Sequence, residues 1–123
     1  MDADTDFFGE FVVRNFRSTA VACVRGLCRD EFKSPGHREY QDLLRPLSDE
    51  HKAIVERVVT YCVEGALNDF LHHLDAEMRR KNATIQVTVN GKALSSNPEK
   101  LGPQLWGPTG WLARYGTKDG SKA

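Results

Sequence analysis

The sequence lacks a surplus of charge of either sign, a long apolar run and a targeting signal. Lys and Arg number 17, and so do Asp and Glu, which gives a formal net charge of zero. Binding to nucleic acid or to anionic membranes depends on a basic surplus, so we expect neither as a partner. No apolar run approaches the ~18 residues of a membrane span, and the acidic start MDADTD does not resemble a signal peptide.

Cysteine is scarce, and its spacing excludes the usual paired motifs. The three cysteines, Cys23, Cys28 and Cys62, are odd in number and form no C-x-x-C pair. This usage is typical of a reducing compartment, so we expect a cytoplasmic protein. Cys23 and Cys62 fall on apolar stripes, where cysteine acts as a small hydrophobic residue.

The sequence also lacks the motifs that mark common active sites. There is no G-x-S-x-G elbow, no G-x-G-x-x-G and no H-E-x-x-H. We therefore expect no cofactor and favour a non-catalytic protein over an enzyme. The length of 123 residues suits one domain, which we expect over residues 1–117, followed by a disordered tail at 118–123.

The stretch from Ser48 to Lys81 predicts one long helix with two apolar stripes. Ser48 suits the N-cap, and Asn82 suits the left-handed stop position. The first stripe contains Ile54, Val58, Val59 and Cys62. The second contains Val63, Ala66, Leu67, Phe70, Leu71, Leu74 and Met78, and it is rotated by roughly 140° from the first.

The length of this helix raises a packing problem. Its residues would span about 50 Å, whereas a compact domain of this size has a diameter of about 35 Å. The helix therefore either bends near Gly65, where the stripes change over, or packs its overhang against a second copy of the chain. The second alternative predicts a homodimer.

Two further helices and a hairpin complete the predicted fold. Residues from about Asp6 to Asp30 form a helix whose apolar stripe contains Phe8, Val12, Phe16, Cys23 and Leu27. A shorter helix follows Pro35 and ends before Pro46. Alternation over residues 84–89 and the pair Asn90-Gly91 predict a β-hairpin near residues 84–95, with Val89 opposite Lys92. The expected class is α+β and mainly helical, with three main helices, one hairpin and an aromatic C-terminal segment.

Asp69, His72 and His73 are the best candidates for chemistry. They lie within roughly 100° of one another on the helical wheel, and Asp69 and His73 have the i, i+4 spacing that can hold a metal ion or orient an imidazole. A small enzyme or a metal-binding protein is therefore the alternative function. The competing interpretation is that this face of the helix is simply in water.

The candidate partner-binding residues are aromatic side chains and one arginine. Phe7 and Phe11 lie off the main stripe of the first helix, so they either cover a neighbouring element or form an exposed patch. Trp106, Trp111, Arg114 and Tyr115 are typical of binding hot spots, and helical spacing puts Arg114 within reach of the Trp111 ring. The alternative is a C-terminal flap whose aromatics cover the helices. These residues favour a non-catalytic protein-interaction protein, such as an inhibitor, an antidote or an accessory subunit.

Overall fold

The computed structural model describes residues 2–116 of the chain and contains three main helices. The first, here called the N-terminal helix, consists of α1 (Ala3–Val12), a π-helical turn (Val13–Arg17) and α2 (Ser18–Cys28) without interruption. The others are α3 (Pro35–Leu44) and α4 (Asp49–Met78). With the hairpin described next, the predicted mainly helical α+β class is confirmed. The predicted tail at 118–123 lies outside the described residues.

The hairpin has the predicted register but is shorter than expected. β1 (Thr88–Val89) pairs with β2 (Lys92–Ala93), with Val89 opposite Lys92. Both turn residues are left-handed, at φ 53° for Asn90 and 78° for Gly91. Residues 84–87 are not a strand, although Val87 O accepts a hydrogen bond from Leu94 N at 2.9 Å. Gln86 donates its side-chain amide to Met78 O at 2.9 Å, which ties this segment to the end of α4. Ile85, expected on the apolar face, is exposed.

Three short elements form the C-terminal segment. They are two 3-10 turns, Leu94–Ser96 and Gly102–Leu105, and the one-turn helix α5 (Trp111–Tyr115). The buried Asp75 of α4 accepts hydrogen bonds from Leu101 N and from Arg79 Nε, the latter at 3.1 Å. Asn97 donates to Asp2 Oδ2 at 2.8 Å and to Thr5 Oγ1 at 3.0 Å. The segment is thereby fixed to both long helices.

The hydrophobic core lies at one end of α4. Its α4 members are Leu67, Leu71 and Met78, and no residue between 49 and 66 is buried. The other core members are Val13, Leu94, Leu101, Leu105 and Trp111. The first predicted stripe therefore faces largely outward, because the core does not extend along that half of the helix. None of the helices within residues 2–116 is both long and apolar enough to cross a membrane.

The ends of α4 confirm one prediction and correct another. Ser48 is the N-cap, and its hydroxyl accepts a hydrogen bond from His51 N at 3.1 Å. The helix ends at Met78, and Asn82 does not take the left-handed conformation. In the described part of the chain that conformation occurs at Asp30, Asn90, Gly91 and Gly107. Gly65 is an ordinary residue of one continuous helix, so a positive-φ bend there is excluded.

The π-helical turn corrects the expected stripe of the N-terminal helix. A π turn contains one extra residue, so the buried face is rotated beyond it. Thr5 and Gly9 are buried before the turn and Val13 at its first position, whereas Ser18 and Val21 are buried after it. Phe16 lies within the turn and is rotated outward, to 48% exposure, although the sequence placed it on the core stripe.

Two glycines form a matched pair for testing this packing. A Cβ on Gly9 would lie 2.1 Å from the Trp111 ring, whereas a Cβ on Gly65 would meet nothing within 4 Å. We expect Gly9→Ala to lower the free energy of unfolding by about 1–3 kcal/mol through overpacking. Gly65→Ala should leave it unchanged or raise it by up to about 1 kcal/mol, because alanine favours helix.

Urea unfolding, at dilutions where the midpoint no longer depends on protein concentration, measures both effects. Equal destabilisation by the two substitutions would contradict the packing described here.

Candidate functional site

The N-terminal helix and α4 lie side by side in antiparallel orientation. Arg17 Nε is 3.0 Å from Glu64 Oε2, and Arg25 Nε is 3.7 Å from Glu56 Oε2. Near the far end, Cys28 Sγ lies 3.9 Å from Lys52 O. The numbers of two residues that face each other across the helices therefore add up to about 81. The same register places Phe11 level with Phe70.

An open apolar groove runs between these two helices. It encloses about 480 Å³, and nearly all of its lining is apolar. Its walls are formed by Asn15, Phe16, Thr19, Ala20 and Cys23 of the N-terminal helix and by Val58, Val59, Cys62, Val63 and Ala66 of α4. We call this feature the apolar groove. Small residues line much of it, so the two helices leave a channel that their own side chains do not fill.

Exposed phenylalanines extend the apolar groove at one end. Phe11 lies one turn before Asn15, whose side-chain amide donates to Phe11 O at 2.8 Å. Phe70 lies one turn beyond Ala66, on the same face of α4. Phe11 is 57% exposed and Phe70 is 54% exposed. Phe7 is exposed as well. Of the two alternatives for Phe7 and Phe11, the structure therefore agrees with an exposed patch and not with the covering of a neighbouring element.

The two tryptophans have opposite environments. Trp111 is fully buried and packs on Gly9, so it presents no surface to a partner in this fold. Its burial agrees with the alternative interpretation, in which the aromatics of a C-terminal flap cover the helices. Trp106 is half exposed, and its indole N–H donates to Asn68 Oδ1 at 2.9 Å. It therefore lies on the surface of α4, on the side away from the apolar groove.

Arg114 and Tyr115 form a clamp with Asp6 of α1. Arg114 donates to both oxygens of Asp6, and the Tyr115 hydroxyl donates to Asp6 Oδ2 at 2.5 Å. The guanidinium lies 4.8 Å from the centre of the Tyr115 ring. The predicted contact of Arg114 with the Trp111 ring is replaced by this clamp, because a carboxylate offers the guanidinium two charged acceptors.

The clamp shifts the acidity of its members. Hydrogen bonds from Arg114, followed by those from Tyr115, hold the pKa of the Asp6 carboxyl below its usual value. The same hydrogen bond to Asp6 raises the pKa of Tyr115. The clamp thus stabilises ionised Asp6 and fixes α5 against the start of the N-terminal helix.

Asp69, His72 and His73 are exposed on α4 and are not brought together with further ligands. Asp69 accepts a hydrogen bond from the Asn68 side chain at 3.2 Å, and the His72 ring lies against Gly102. Within residues 2–116, no three His, Cys, Asp or Glu side chains are placed to hold a metal ion.

No pattern in the sequence predicts the apolar groove as a unit. Phe16 and Phe70 were each assigned to a core stripe, and both lie on the surface. The π turn that exposes Phe16 has no sequence signature comparable to a cap or a turn. Comparison with family models, with curated proteins and with solved structures finds no match.

Replacing Asp6 tests the clamp through its pH dependence. The folded pKa of Asp6 lies below its unfolded value of about 3.9, so its stabilising contribution is complete above that pH and is lost as the pH falls through the folded pKa. Asp6→Asn should therefore be less stable than the parent at pH 7. The two unfolding free energies should converge as the pH falls below about 4 and through the folded pKa of Asp6.

Urea titrations at several pH values measure this convergence. Asp2 and Asp30 also have lowered pKa values, so both proteins should still lose stability in acid. Glu39→Gln is the control, because Glu39 makes no hydrogen bond or ion pair within the described residues. A constant offset between Asp6→Asn and the parent at every pH would contradict the role of the clamp.

The three thiols should differ in their rate of alkylation in the native protein. Cys62 is exposed, Cys23 is half-buried in the apolar groove, and Cys28 is buried. Burial, followed by the nearby charge of Glu56, raises the pKa of Cys28. We expect the order Cys62, Cys23, Cys28 in a time course with iodoacetamide read by peptide mass spectrometry, since the exposed thiolate reacts. Faster labelling of Cys28 than of Cys62 would contradict this assignment.

Proposed function

We propose that this chain is a non-catalytic protein-interaction protein that receives an amphipathic helix of another protein in the apolar groove. The observation that carries the proposal is an open channel of about 480 Å³ between two antiparallel helices, lined almost wholly by apolar side chains. Grooves of this kind bind the apolar face of a helix through anchors spaced by three or four residues. An inhibitor or an accessory subunit would use such a surface.

The distribution of exposed phenylalanines supports the same proposal. Phe11, Phe16 and Phe70 each keep about half of their surface exposed, although burial of such a side chain is worth about 1.5–3 kcal/mol. A partner helix in the apolar groove would remove these rings from water. The three cysteines are unpaired, and this supports our assignment of the complex to the cytoplasm.

A comparison of three baits tests the proposal. Tagged parent, Phe16→Asp and Leu43→Asp proteins are used for affinity capture from lysate, followed by mass spectrometry. Leu43 of α3 is exposed and lies outside the apolar groove, so its substitution adds the same charge to another apolar surface position. Circular dichroism verifies that each bait is folded.

The expected result is a protein retained by the parent and by Leu43→Asp but lost from Phe16→Asp. Its purified form should also protect Cys23 against alkylation, because Cys23 lines the apolar groove. Equal capture by all three baits, or a captured protein that leaves Cys23 reactive, would refute the proposal.

A further inference from the structure

A second feature of α4 lies outside the apolar groove. Arg57, Tyr61, Gly65 and Asp69 are spaced by four residues, so they form one row along the helix surface, here called the Arg57–Asp69 row. The row spans about 18 Å. Tyr61 is 80% exposed, and nothing lies within 4 Å of the position of a Cβ on Gly65. A large ring and an open notch are thus neighbours in the middle of the row.

Among residues 2–116, the two ends of the row carry opposite charges without partners of opposite sign. Arg57 forms no ion pair with any of these residues, and from them Asp69 accepts a hydrogen bond only from the neutral side chain of Asn68. By contrast, Arg17 and Arg25, which face the same helix from the N-terminal helix, are paired with Glu64 and Glu56. The row therefore has unused charge at both ends.

Two copies of the row that run in opposite directions are complementary to each other. Residue 63 is the midpoint between Arg57 and Asp69, and it is also the midpoint between Tyr61 and Gly65. When a second α4 lies antiparallel across this midpoint, each arginine faces an aspartate and each tyrosine faces a glycine. Size and charge are complementary in the same register.

We propose that a second copy of this chain docks antiparallel on the Arg57–Asp69 row, about a twofold axis at residue 63. Rows of residues spaced by four pack against each other in the commonest class of helix crossing. The Tyr61 ring enters the notch at the partner's Gly65, where the missing side chain permits close approach. Ile54, which is about half exposed and lies outside the apolar groove, borders the row and is covered in the same contact.

This docking is independent of the proposed function. Cys62 and Ala66 face the apolar groove and Phe70 extends it, and each lies about 100° around α4 from the row residue that precedes it. The dimer therefore leaves the apolar groove open, and loss of one interaction does not imply loss of the other.

Charge reversal provides the test, because each ion pair joins two different chains. Parent, Arg57→Asp and Asp69→Arg proteins are measured by sedimentation velocity over a range of concentrations. The parent should reach twice the chain mass of 13.8 kDa. Each single variant places like charges opposite each other twice, so its dissociation constant should rise roughly tenfold or more.

The mixture of the two single variants is the decisive sample. A heterodimer of Arg57→Asp with Asp69→Arg has opposite charges in both pairs, so mixing should restore dimers that neither variant forms alone. The double variant should also dimerise. Arg38→Asp, which reverses an exposed charge on α3, should behave as the parent.

Gly65→Leu tests the notch. It should not destabilise the fold, because the position is helical and open. It should unfold no earlier than the parent in dilute solution but should remain a monomer. A monomeric parent at high micromolar concentration, dimers that persist unchanged in both single variants, or a mixture that fails to associate would each overturn the proposal.

Discussion

The length of α4 is the constraint on which the rest of the structure depends. Its 30 residues span about 45 Å, but the core extends only from Leu67 to Met78. The C-terminal segment covers one end, whereas the π-helical turn and α2 pack along the rest of the helix. The apolar groove and the exposed side chains of the first half follow from this division.

Polar contacts fix the C-terminal segment where regular secondary structure does not. Asp75 and Asn97 are buried and hydrogen-bonded, so any displacement of the segment would leave them unsatisfied. The Asp6 clamp is more exposed, and exposed ion pairs contribute little by themselves. The buried contacts therefore select one position for the segment, while Leu101, Leu105 and Trp111 supply the apolar contacts that stabilise it.

Local signals in the sequence predicted the elements well, because their causes are local. Ser48 caps α4, and Asn90-Gly91 forms the turn, through contacts within a few residues. Which face of a helix or strand is buried depends on distant segments, and the predictions that Phe16 and Ile85 lie on buried faces were wrong. The candidate site was predictable only in part. Phe7 and Phe11 were recognised as lying off the core stripe, but the apolar groove requires the antiparallel register of two helices separated by a third. The partner of Arg114 is likewise 108 residues away in the chain.

The attachment of α3 has a consequence for local unfolding. Gln41 is its one buried residue, and the Gln41 amide is hydrogen-bonded to both backbone groups of Phe32. Tyr40 and Leu43 remain exposed, so α3 buries little apolar surface of its own. Regions with few buried apolar contacts open at a lower free energy than the global transition. We therefore expect the segment between α2 and α4 to open at a lower free energy than the core around Trp111, so that its amides exchange with solvent while that core stays closed.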